Sequence, residues 1–133
     1  MIFDKLSIKQ IQRITLLFNI LLTLGILVAT LMPADFRSPY RFIGYDKFGH
    51  FIMFFGWTFF FGLHQVIKRK IRLWVVFITG CIFGVITEVL QYYLPTNRSA
   101  EKLDLAADVA GAFLAVLAIY LLVRFRKLPS AEN

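Results

Sequence analysis

The sequence predicts an all-α integral membrane protein, a four-helix transmembrane bundle. Three observations carry that prediction. Of the 133 residues, 59% are apolar and only 17% charged, with a mean hydropathy of +0.70; a soluble domain has about 45–50% and about 25%. A chain this short cannot hide so much apolar surface in one water-soluble core, and the same composition excludes disorder. Second, the apolar residues fall into four runs, each near the ~20 residues that span a ~30 Å hydrocarbon layer. Third, the runs lack the two-residue alternation of membrane barrels, so they read as helices.

The first run, residues 14–32, follows Lys5, Lys9 and Arg13. It is long, and Ala29-Thr30-Leu31-Met32-Pro33 makes a poor cleavage pattern. It therefore reads as a retained span and not as a leader. The second, residues 48–67, is rich in phenylalanine, as expected of lipid-facing and core packing. The third, residues 71–94, places Gly80, Gly84 and Glu88 at four-residue steps. Such a small-residue stripe is a helix-packing face, so Glu88 is expected to point into the bundle. The fourth, residues 105–123, repeats the pattern with Asp108, Gly111 and Ala115. Together the runs leave room for short loops, and residues 1–133 read as a single transmembrane domain.

The basic residues set an expected orientation. Ten of the 15 Lys and Arg lie before the first run, between the second and third, and after the fourth. Arg37, Arg41, Lys47, Arg98 and Lys102 lie on the other side. The positive-inside rule then places both termini in the cytoplasm. The net charge of +7 is thus a topology signal. No basic face larger than a short loop exists, which argues against nucleic acid as a partner. A single cysteine, Cys81, excludes an internal disulfide and a cysteine-built zinc site. It reads as a small core residue. Nothing in the spacing suggests a metal-binding motif or a cofactor.

The remaining polar residues gather at one depth. Asp46, Lys47 and His50 open the second helix, Glu88 and Gln91 close the third, Arg98 sits in the following loop, and Asp104 and Asp108 open the fourth. Glu88 lies about 9 Å from its helix end at 1.5 Å per residue. All therefore fall in the outer third of the bilayer. Asp46 and His50 share a helix face, as do Asp104 and Asp108. The expected result is a polar pocket between the second, third and fourth helices, open outward. Carboxylates inside a membrane normally pair or line a cavity, and a carboxylate such as Glu88 is a functional candidate by default. Asp46 and Asp104 also suit helix N-termini, where capping alone accounts for an aspartate. His64, near the inner end, and Asn19 read as structural.

These residues, in this order, resemble the VanZ-like family of small bacterial membrane proteins. Asp46 to Phe51 (DKFGHF) resembles its DK-x-x-HF helix opening, and Thr87 to Pro95 (TEVLQYYLP) its E-x-x-Q helix end. Asn97 to Ala100 (NRSA) resembles its Arg-containing loop, and Asp104 to Ala115 its D-x-x-x-[ND]-x-x-G segment. Many family members carry Asn where this chain has Asp108, so the pocket here is more acidic. The resemblance implies a multi-pass protein of the bacterial inner (cytoplasmic) membrane with a cell-envelope role. The family takes its name from a protein linked to teicoplanin resistance.

Several readings of the cluster stand open at this stage. In the first, the pocket binds an anionic lipid headgroup or a lipid-linked cell-wall precursor; Lys47 and Arg98 hold phosphate, Glu88 and Asp108 fix the pocket, and Asp46, Gln91 and Asp104 complete the ligand-binding set. In the second, an intramembrane enzyme acts on that headgroup. His50, oriented by Asp46, is then base or nucleophile, and Glu88 or Asp108 the acid. A proton relay and a purely structural polar cluster are the others.

Overall fold

In the computed structural model, residues 7–32, 45–68, 72–94 and 101–125 are described. They form four helices: α1 (Ile8–Leu31), α2 (Tyr45–Ile67), α3 (Leu73–Tyr93) and α4 (Lys102–Phe125). Among the described residues there is no strand. All four helices are long and apolar enough to cross a membrane. Three begin earlier than the apolar runs do: α1, α2 and α4. α1 starts at Ile8 because Ser7 and Gln10 form a reciprocal capping box that satisfies its first amides. α4 starts at Lys102, with the Glu101 carbonyl accepting from the amides of Asp104 and Leu105. Helix ends follow hydrogen bonding and capping, whereas hydropathy reports only the lipid-immersed part.

Contacts between named residues fix an alternating up-and-down order. Thr15, early in α1, meets His64, late in α2. His50, early in α2, meets Asp108, early in α4, and approaches Glu88, late in α3. The C-terminal ends of α1 and α3 and the N-terminal ends of α2 and α4 therefore lie at one end, here called the distal end. α2 is the hub, packing most extensively on α4 and then on α1.

The reason lies in residue size. Between lipid-immersed helices, association rests on close packing and interhelical hydrogen bonds. Gly111 of α4 brings that helix against the backbone of α2: a side chain there would meet Phe51 O and lie 2.9 Å from Phe55 N. Gly84 of α3 gives room to the Asp108 side chain, whose Oδ2 would be 3.2 Å from an added Cβ. The stripes expected from the sequence are thus buried: Gly80, Gly84 and Glu88 on α3, and Asp108, Gly111 and Ala115 on α4. On the other side of α2, Ile26, Phe54 and Trp57 form an apolar core. There Trp57 stacks on Phe83 at 4.6 Å between ring centroids. The Trp57 indole N–H donates to Thr23 Oγ1, and Asn19 donates to the Trp57 carbonyl, tying α1 to α2. Asn19 is structural, as expected.

The outward faces carry Leu17, Val28, Phe48, Ile82, Leu103 and Phe113, each about half or more exposed. In water such a surface would aggregate; in lipid it is the solvated face. Cys81 departs from the expected core position, since it is only partly buried. The buried glycine beside it, Gly80, takes the packing face. Trp74, Tyr92, Tyr93 and Tyr120 are exposed near helix ends, where amphipathic rings favour the membrane interfaces.

Candidate functional site

At the distal end, α2, α3 and α4 contribute His50, Glu88, Asp104 and Asp108 to one buried cluster. The exposures are 5%, 6%, 2% and 0%. The helix starts explain part of this placement. Asp46 lies in the first turn of α2 and Asp104 in the first turn of α4, where the positive end of the helix dipole favours a carboxylate. His50 and Asp108 each follow one turn later on the same face, which carries them inward toward the seam.

The pairing differs from the expected one. His50 Nδ1 lies 2.9 Å from Asp108 Oδ1, across 58 residues of sequence. Asp46 is not the carboxylate that fixes the ring by this bond. The register of α2 on α4, set by Gly111, decides this. Glu88 Oε1 is 4.0 Å from the same ring nitrogen. Glu88 Oε2 accepts a hydrogen bond from the Glu101 backbone N–H at 3.2 Å. On the far side of the ring, His50 Nε2 is 3.9 Å from Asp104 Oδ2. One imidazole is thus surrounded by three carboxylates from two other helices.

Lys47 closes the cluster at the rim. Its ammonium is 2.8 Å from Glu101 Oε2 and 3.3 Å from Asp104 Oδ1. Glu101 was not anticipated from the sequence. An exposed glutamate beside a helix start has no signal of its own, and only the α2–α4 register brings it to Lys47. Asp108 Oδ2 is buried and has no hydrogen-bond partner among the described residues. His50, Glu88 and Asp108 each offer one ligand-type atom within 4.8 Å of the others. Arg98 lies outside the described residues.

The cluster itself is closed, in contrast to the outward-open pocket expected between α2, α3 and α4. Small residues let those helices approach closely around it. A cavity lies on another flank of α2, between α1, α2 and α3. Its volume is about 80 Å³, and it is lined by Ala29 and Thr30 of α1, Asp46, Gly49 and His50 of α2, and Thr87 and Gln91 of α3, among others. His50 therefore belongs both to the buried cluster and to the cavity wall. Thr30 and Thr87 are site residues that the sequence did not single out. Threonine is common in spanning helices, where its hydroxyl bonds its own backbone, as Thr30 does to Ile26 O and Thr87 to Gly84 O.

His64 stays away from the cluster. Its Nδ1 lies 3.1 Å from both the Gln12 carbonyl and Thr15 Oγ1. A carbonyl can only accept, so Nδ1 carries the proton and the ring locks α2 onto α1.

A compact up-and-down bundle of four apolar helices, with ionisable side chains from three of them at one level, defines a small polytopic membrane protein with an intramembrane polar site. The chain belongs to the VanZ/LLP1 family, whose model matches residues 2–124. No curated protein and no solved structure matches it.

Proposed function

We propose that the protein binds, at its distal end, the headgroup of an anionic lipid or of a lipid-linked cell-wall precursor, and so serves the cell envelope. One observation carries the reading: the cavity beside His50. Thr30 of α1, Asp46 and His50 of α2, and Thr87 and Gln91 of α3 bring polar groups to a wall otherwise made by Ile26, Ala29, Met53 and Phe54, near one end of a protein built for hydrocarbon. Its volume of about 80 Å³ takes the polar tip of a headgroup or a few waters, and not a whole lipid. Asp46, Thr30, Gln91 and His50 would meet hydroxyl or amine donors of that tip. The phosphate is assigned to Lys47, which faces α4 at the same end of the bundle, and to Arg98. Lys47 is already shared between Glu101 and Asp104, but an ammonium has three donors. In this reading the chain sits in a bacterial inner membrane with both termini cytoplasmic, as the distribution of Lys and Arg favours.

Lipid retained through detergent purification tests the proposal. Mass spectrometry of the wild type is expected to show one lipid class enriched over the bulk membrane. Gln91→Leu, which removes a cavity polar group, and Arg98→Ala, which removes a cation assigned to the phosphate, are each expected to abolish the enrichment. Lipid content equal to the bulk membrane in the wild type, or unchanged in both variants, would sink the reading.

A second reading rests on the 2.9 Å pairing of His50 with Asp108. A buried carboxylate that orients an imidazole is a general-base arrangement. On this reading the retained lipid is converted to a product over time by the wild type and not by Asp108→Asn. Absence of any product removes it.

A further inference from the structure

We propose that His50, Glu88 and Asp108 form a binding site for one divalent transition-metal cation such as Zn2+ or Mn2+. No local motif announces it, because the three residues come from three helices.

Charge is the first argument. Glu88, Asp104 and Asp108 are buried, and Glu101 joins them at the rim. Three of these carboxylates approach the one His50 imidazole, and Lys47 meets Glu101 and Asp104. Carboxylates gathered in a poorly solvated place normally pair or coordinate a cation. A divalent cation suits such a gathering.

Geometry is the second argument. One ion at about 2.0–2.2 Å from each ligand holds tetrahedral ligands roughly 3.3–3.6 Å apart. The separations from His50 Nδ1 are 2.9 Å to Asp108 Oδ1 and 4.0 Å to Glu88 Oε1, which bracket that value. All three ligand atoms lie within 4.8 Å of one another.

The third argument concerns the surroundings. Asp108 Oδ2 is fully buried with no hydrogen-bond partner among the described residues, a cost that ligation by this carboxylate would offset. Metal-bound histidines usually present their other ring nitrogen to a carboxylate or carbonyl, and metal-bound carboxylates are themselves hydrogen-bonded. Here His50 Nε2 faces Asp104 at 3.9 Å, and Glu88 Oε2 is held by the Glu101 amide. The donor set, one imidazole nitrogen with carboxylate oxygens, suits Zn2+ or Mn2+ better than the all-oxygen shells of Ca2+ and Mg2+. Binding displaces the proton between His50 Nδ1 and Asp108 to solvent, so uptake releases protons. The site does not require that the cavity hold a lipid.

Tag-free protein, stripped with chelator in detergent and titrated with Zn2+, tests this by calorimetry and elemental analysis. The wild type is expected to take up one Zn2+ per chain and to melt at higher temperature when loaded. Asp108→Asn keeps the side-chain shape and removes the charge; it is expected to weaken binding at least about tenfold, as is Asp104→Asn through the ring it faces. His64→Gln, which removes the other histidine, leaves binding unchanged. Failure of the folded wild type to take up Zn2+ or Mn2+ overturns the proposal without reference to any variant. So does uptake by a His50→Gln, Glu88→Gln, Asp108→Asn triple variant equal to that of the wild type.

Discussion

Gly111→Ala is expected to destabilise the bundle by about 2–3 kcal/mol, near the top of the range for an overpacked interior. The reason is that the obstacle is backbone. An alanine Cβ would meet Phe51 O and come within 2.9 Å of Phe55 N. Neither atom can rotate away, so α2 and α4 must separate. Their seam is the most extensive in the protein and carries the contact between His50 and Asp108 at 2.9 Å. A separation of about 1 Å takes that contact beyond hydrogen-bond range. Gly25 supplies the control, because nothing lies within 4 Å of a Cβ added there. Gly25→Ala is expected to be neutral or to stabilise by up to about 1 kcal/mol through helix propensity. Unfolding in detergent micelles measures both. Equal midpoints for the two variants would show that the α2–α4 approach is looser than described.

His50→Leu is expected to cost about 3–5 kcal/mol, the penalty for removing one partner from a buried charged pair. Leucine matches the size of the ring but leaves Asp108 without its hydrogen-bond donor and Asp104 and Glu88 facing an alkyl group. The competing estimate is that of an ordinary interhelical hydrogen bond in lipid, which averages about 0.6 kcal/mol and reaches about 1.7. The larger figure applies here because three buried carboxylates share the one imidazole. Reduced helix content together with a lowered midpoint is the expected observation.

Much of the architecture could be read from the chain because hydropathy and helix length answer to the same physical scale, the thickness of a bilayer. The four runs became four helices for that reason. The Gly80–Gly84–Glu88 and Asp108–Gly111–Ala115 stripes were legible because residue size alone decides where lipid-immersed helices meet. That the polar residues share one level of the bundle was legible too, since rise per residue converts position directly into distance along each helix. What the chain could not disclose was partnership across helices. His50 and Asp46 share a helix face, and local spacing favoured that pair. The hydrogen bond at 2.9 Å instead runs to Asp108, because azimuth and register depend on how Gly111 seats α4 on α2. The cavity was misplaced for a related reason. The small residues that mark α3 and α4 as interacting draw those helices together, and the cavity found lies beside α1. Thr30 of α1 carries no charge that would have marked it.

A double-mutant cycle on His50 and Asp108, using leucine at each position and unfolding in micelles, tests most directly whether the polar residues of α2, α3 and α4 act as one buried unit. Contacting residues in a network typically couple by about 0.5–3 kcal/mol. A coupling energy above about 1.7 kcal/mol, beyond the strongest ordinary interhelical hydrogen bonds, is the expected result. A coupling near or below about 0.6 kcal/mol would mean that the two side chains are merely neighbours, and would contradict it.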